Sequence, residues 1–188
     1  MDTRLWASMA ALGVAHLLVG GARAAVKDAG PGGFTIEHRM EISASRERVW
    51  ASLLRPELWW SAEHTYSKDA KRLRLDPRRG GCWCEEIPGG GVEHMRIVYL
   101  HKARLLRLSG GLGPLQSTAD GTMTYALESQ KAGTGLTLIY RVWGYEPDGL
   151  AKLAPAVDGV LGEQMTRLKS LIETGAARSE PAKPKANR

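Results

Sequence analysis

Over residues 150–174, Leu150, Leu153, Ala154, Val157, Leu161, Met165, Leu168, Leu171 and Ile172, joined by Gln164, recur at spacings of three and four. Lys152, Asp158, Glu163, Arg167, Lys169 and Glu173 fall mostly between them. That period marks one face of an α-helix. Asp148 is placed to cap its start, Pro155 has no amide hydrogen and so belongs to a first turn or a kink, and Gly175 stands where a C-terminal cap is expected. Gly159 and Gly162 each lower helix propensity by about 1 kcal/mol relative to Ala. Packing must compensate there, or a neighbour must approach closely. So broad an apolar face needs a sheet, or a ligand held against a sheet, to cover it.

The period changes upstream. In residues 34–43, Phe34, Ile36, His38, Met40 and Ile42 alternate with Thr35, Glu37, Arg39 and Glu41, the signature of a half-buried strand. Ser45 then offers an N-cap, Glu47 suits a first turn, and Val49, Trp50, Leu53 and Leu54 form the apolar side of a short helix that ends before Pro56. A second short helical turn over 56–61 carries Leu58, Trp59 and Trp60. Strands follow at 72–75, 82–87, 92–101, 105–110, 122–130 and 136–145, separated by turn-forming runs at 76–81, 88–91 and 131–135 and by a loop at 113–119. Strands linked by hairpins pair mainly antiparallel, and one long helix is available to cover a face. This predicts an α+β fold: a sheet of about seven strands, two short helices after strand one, and a long C-terminal helix.

The ends change the domain picture. Arg4 precedes an apolar run over 5–21 that closes with Ala22-Arg23-Ala24, the small-x-small order of a signal-peptidase site. Cleavage after Ala24 and a periplasmic or secreted protein are expected, so that membrane contact is confined to the signal segment; an uncleaved anchor is the competing reading. Residues 25–33 read as a flexible leader, 34–175 as the domain, and 176–188 as a solvated basic tail. The formal net charge is +6. Much of it sits in the tail, as Arg178, Lys183, Lys185 and Arg188 against Glu180. A domain so nearly balanced gives no reason to expect a nucleic-acid partner.

Several local motifs, in this order of elements, resemble the SRPBCC superfamily of START-like, helix-grip proteins. Within it the resemblance is to the group of polyketide cyclases and chaperone ATPase-activator homologues. The matching residues are Ile42-Ser43-Ala44-Ser45 with Val49-Trp50, Pro56-Glu57-Leu58-Trp59-Trp60, Gly80-Gly81-Cys82-Trp83-Cys84-Glu85, and Gly135-Leu136-Thr137-Leu138. The resemblance covers about residues 34–174. It implies a curved antiparallel sheet gripping the long helix with an apolar cavity between them, and it leaves the activity open, because the fold hosts carriers, receptors, cyclases and chaperone cofactors.

Candidate chemistry is sparse. His38, His64, His94 and His101 show no metal-ligand spacing, so no metal and no cofactor are expected. His38 shares its strand face with Ile36 and Met40 and points either into a core or into a cavity. His94 and Arg96 alternate onto one face, as an acidic-head-group site or as the wet side of a hairpin. Glu85 is a candidate catalytic carboxylate or a structural acceptor near a strand end. Cys82 and Cys84 fall on one face of a strand, roughly 6.5 to 7 Å apart if fully extended, at the edge of disulfide reach. Two buried thiols are expected, with a redox or metal dithiol as the alternative. Trp50, Trp59, Trp60 and Trp83 are core or pocket wall. By periodicity Leu161, Met165 and Leu168 face the sheet rows Met123, Tyr125, Leu127 and Leu138, Tyr140, Val142, with Trp60 and His38 nearby. An apolar or amphipathic ligand, lipid- or polyketide-like, is expected between them. A cyclase- or dehydratase-type enzyme using Glu85, His38 or His94 is the alternative.

Overall fold

The computed structural model describes residues 25–178. The expected signal segment, and all of the expected tail beyond 178, lie outside the described residues. Eight strands form one antiparallel sheet: β1 (Val26–Gly30), β2 (Gly33–Ile42), β3 (Leu73–Leu75), β4 (Cys82–Ile87), β5 (Gly90–His101), β6 (Leu105–Ser109), β7 (Ala119–Gln130) and β8 (Gly133–Gly144). Their order across the sheet is β1-β2-β8-β7-β6-β5-β4-β3. Helix α1 (Arg46–Leu53) follows β2, three 3-10 turns lead into β3, and α2 (Ala154–Thr174) closes the described chain.

The alternation of β2 places Phe34, Ile36 and Ile42 in the core, opposite Val142, Tyr140 and Thr134 of β8. On the far side of β8, Met123, Tyr125 and Leu127 of β7 stand opposite Tyr140, Leu138 and Leu136. These positions form one buried patch over three strands. Leu161, Met165, Leu168 and Ile172 of α2 are likewise buried, at the spacing of one helix face. Burying each such side chain contributes about 1.5–3 kcal/mol. From Met165 to Ile172 helix and sheet close into core. Glu173 accepts from the Ser43 amide at 2.8 Å and Arg48 donates to the Ile172 carbonyl at 2.6 Å, which ties the last turn of α2 to α1 and the end of β2.

Two of the boundaries that the pattern predicts are corrected, and two of its helix signals hold. Residues 25–33 hold a strand: β1 pairs with β2, and Ala25 is buried. That makes eight strands in place of about seven. Asp148 does not cap the long helix; a 3-10 turn, Leu150–Leu153, intervenes, and Asp148 pairs with Lys152 at 3.3 Å. Pro155 lies in the first turn of α2, where its missing amide hydrogen is no loss. Gly175 adopts φ 81°, a left-handed cap whose N–H donates to the Leu171 carbonyl.

Candidate functional site

The N-terminal half of α2 meets β2 through Asp158 and Gly162, but on the side of Val157, Val160 and Leu161 it leaves a space. A cavity of about 720 Å³ lies there. Val157, Val160 and Leu161 of α2 form one wall. The segment 60–68 forms a second, the 3-10 turn Gly113–Ser117 with Leu112 a third, and Trp83 and His94 of the sheet form the base. Trp60 is fixed from both ends of its ring. Trp60 donates its indole N–H to the His64 carbonyl at 2.9 Å and meets Trp83 edge to face, with ring centroids 4.9 Å apart. Ser61 is anchored from the helix, because its amide donates to Gln164 Oε1 at 2.7 Å.

One polar pair sits at the base. Between β4 and β5 the register slips: Trp83 is opposite Met95, but Cys84 is opposite Glu93. His94 is the extra residue, and both it and Met95 are buried. Arg96, which strict alternation puts on the face of His94, is exposed instead, and pairs with Glu93. Glu85, buried at 1% exposure, accepts from the Tyr66 and Ser67 amides and lies 3.0 Å from His94 Nε2. Burial pushes the Glu85 carboxyl up, but the hydrogen bonds from Ser67, Tyr66 and His94 together outweigh it and hold the group below its ordinary range. Burial likewise pushes His94 down, against the attraction of Glu85. Both shifts favour an ionised carboxylate beside a neutral imidazole that donates Nε2–H. Nδ1 is then a bare acceptor. It is buried and has no hydrogen-bond partner among the described residues, while the Tyr66 ring stacks on the imidazole at 6.0 Å.

The structure gathers Trp60, His94 and Leu161 at this cavity, with Glu85 directly behind His94. The other sequence candidates lie elsewhere. His38 Nε2 is 2.9 Å from Asp158 Oδ1, and its ring packs over Gly162, where a Cβ would meet Cε1 at 3.1 Å. Tyr140 donates to the Gly110 carbonyl at 3.1 Å and accepts from the Leu112 amide at 2.9 Å, so its hydroxyl braces the cavity's third wall from behind. Tyr125 borders a separate void of about 10 Å³, room for one water, beside Trp59 and Trp83. Met123, Leu138, Met165 and Leu168 belong to the closed core. Sequence reasoning missed Tyr66, Leu112 and Val160. Val160 carried a signal, since it extends the apolar face of the helix; the loop residues carried none. The two expected thiols are corrected as well: Cys82 and Cys84 form a disulfide, with Cα atoms 5.4 Å apart. The register slip between Trp83 and Cys84 draws them inside the range that full extension would exceed.

Neither a protein-family model nor a curated protein matches this sequence. Solved structures match it in shape. A protein from Staphylococcus saprophyticus superposes with a TM-score of 0.55 at 15% identity, over 77% of this chain and 95% of that one. A protein from the dynemicin biosynthetic locus gives 0.55 at 14% identity, over 78% of this chain and 49% of its own. The Aha1 dimer subunit from Colwellia psychrerythraea gives 0.50 at 17% identity, over 75% and 97%. This chain has a helix-grip fold. Likeness at such identities concerns the fold alone. In this helix-grip fold the grip is tight along the C-terminal half of α2, and beside its N-terminal half it opens, on the side of Val157, Val160 and Leu161, into the cavity.

Proposed function

We propose that the protein binds a small apolar or amphipathic molecule, lipid- or polyketide-like, in this cavity. The observation that carries the reading is a space of about 720 Å³, inside the usual range for small-molecule sites, with mostly apolar walls and a single buried polar pair at its base. The base leaves two polar atoms unpartnered among the described residues, His94 Nδ1 and the Trp83 indole N–H, and a ligand that brings an O–H or N–H donor to the first and an acceptor to the second would satisfy both. Export is part of the proposal. The Ala22-Arg23-Ala24 order supports it, and so does the disulfide, since disulfides persist mainly in oxidising compartments.

Val157 is half-buried on the cavity wall, so Val157→Trp should fill the space at a cost to stability of about 1–3 kcal/mol or less. The variant should melt cooperatively and lose at least tenfold in affinity for an apolar fluorescent probe that the parent protein captures. Binding is refuted if the parent captures no probe and native mass spectrometry of protein from its own host shows no copurifying molecule.

A second reading, a cyclase- or dehydratase-type enzyme, is favoured by the bare Nδ1. A neutral imidazole held through Nε2–H by a carboxylate is the arrangement of a general base. Under that reading, His94→Gln from the same host copurifies a molecule of different mass from the one that accompanies the parent. Under binding alone the masses agree.

A further inference from the structure

The disulfide Cys82–Cys84 lies apart from the cavity. Trp83 and Glu85 of β4 point inward, so the alternating Cys82 and Cys84 lie on the other face of the sheet, where both are half-buried. In register, Cys82 stands opposite Arg96 of β5, and Cys84 stands between Arg74 of β3 and Glu93 of β5. Opposed residues of antiparallel strands share a face, so two guanidinium groups and one carboxylate flank the sulfurs. Both guanidiniums are also engaged: Arg96 pairs with Glu93 and donates to the Gly80 carbonyl at 2.8 Å, and Arg74 donates to the carbonyls of Lys71 and Leu73.

As a staple this bond does little. The stabilisation from cross-linking grows with the length of the closed loop, and here a single residue separates the two cysteines. The backbone of β4 is already fixed by pairing to β3 on one side and β5 on the other. What the position does offer is half-buried sulfurs with Arg74 and Arg96 in register beside them. The Glu93 carboxylate lies within 4.8 Å of both sulfurs, but it is paired with Arg96, and a guanidinium in register is a neighbour that lowers a thiol's pKa and makes it a good leaving group.

The geometry points to Cys82–Cys84 as a redox-active disulfide that exchanges with dithiols. An incoming thiolate attacks Cys84 Sγ; a new S–S bond forms, and the Cys82–Cys84 bond breaks, leaving its electron pair on Cys82 as a thiolate beside Arg96. The second thiolate of the same dithiol then attacks its own sulfur in the mixed disulfide. Cys84 leaves as a thiolate, and both cysteines take up protons. In sum the dithiol is oxidised by two electrons to a cyclic disulfide, and Cys82 and Cys84 are reduced to thiols. A disulfide such as oxidised glutathione restores the starting state by the reverse exchange. This site stands or falls independently of ligand binding on the other face.

The test uses aerobically purified full-length protein in native buffers of graded reduced to oxidised glutathione, quenched and alkylated so that mass spectrometry counts the thiols, with dithiothreitol as the dithiol in a stopped-flow arm. The expected result is reversible conversion between zero and two labelled thiols across the glutathione range while tryptophan fluorescence stays native, and several-fold slower reduction in Arg96→Gln. Cys82→Ser/Cys84→Ser should keep the parent's melting temperature to within a few degrees. A disulfide that resists glutathione until the chain unfolds, or a marked fall in melting temperature in the double variant, makes the bond a structural staple and overturns the proposal. Two thiols in the freshly purified protein overturn it as well, and an unchanged rate in Arg96→Gln removes Cys82 as the leaving sulfur.

Discussion

Glu85 and His94 set each other's charge, and that makes the pair a source of pH dependence. Burial holds His94 below its ordinary value of 6.5. Between the folded value and 6.5 the unfolded chain therefore binds a proton that the folded chain does not. Stability from this residue is fully present above about pH 6.5 and is lost as pH falls. The depressed Glu85 works in the same direction further down, from about its ordinary 4.5 towards its folded value. The urea midpoint of the parent should accordingly drop between pH 7.5 and 5.5, and the drop should shrink in His94→Gln, which keeps a donor for Glu85 but cannot titrate. Equal drops in both would assign the pH dependence to other groups. Glu85 was legible in the sequence as the acid of a Gly-Gly-x-aromatic-x-Glu run, and its structural reading, an acceptor for backbone amides near a strand end, matches its contacts. Its partnership with His94 was not legible. Strict alternation sends His94 out with Arg96, and only the inserted residue in β5 turns it in.

Among the elements, α2 was the most legible because an apolar face repeated over five turns admits one period. Its start was not, since Asp148 looks like a cap in sequence while the chain spends four further residues in a tighter 3-10 turn before the helix begins. β1 was illegible for a different reason. It is an edge strand whose interior residues Lys27, Asp28 and Ala29 are all exposed, so backbone pairing with β2 leaves no alternation to read. The two helix glycines, equivalent in sequence, separate in the structure. A Cβ at Gly159 meets nothing within 4 Å, whereas at Gly162 it meets the His38 ring at 3.1 Å. Gly159→Ala should therefore stabilise the protein by about 0.5–1 kcal/mol, the propensity gain of an exposed helix position. Gly162→Ala should gain less or lose, because the imbalance falls on His38 and its contact with Asp158. Chemical denaturation of the two single variants compares them directly, and equal gains would show that His38 gives way freely.

At the scale of the whole molecule, the order of elements and the antiparallel pairing were readable because each rests on local periodicity and turn chemistry. The place of the cavity was not. It depends on how far along α2 the helix stays in contact with the sheet, a property of the assembled layers, so the rows Met123, Leu138 and Tyr140 that looked equally suited to a ligand are closed core. The same long-range assembly bears on the expected processing site. Ala25 is buried, its carbonyl accepts from the Glu37 amide at 2.8 Å, and its nitrogen donates to Asp158 Oδ2 at 3.3 Å, while His38 approaches the other oxygen of the same carboxylate. Cleavage after Ala24 would turn that nitrogen from an amide into an ammonium without moving it. A charged donor at a shielded carboxylate is worth roughly twice a neutral one, so the mature form should gain on the order of 1 kcal/mol. Three forms decide it: a chain beginning at Ala25 with a free amine, the same chain acetylated, and one carrying a short N-terminal extension. The free amine should be the most stable in urea, and Asp158→Asn should erase its advantage over the other two. Equal stability of the free and acetylated forms would show that Asp158 holds the start of β1 only as it would hold any amide.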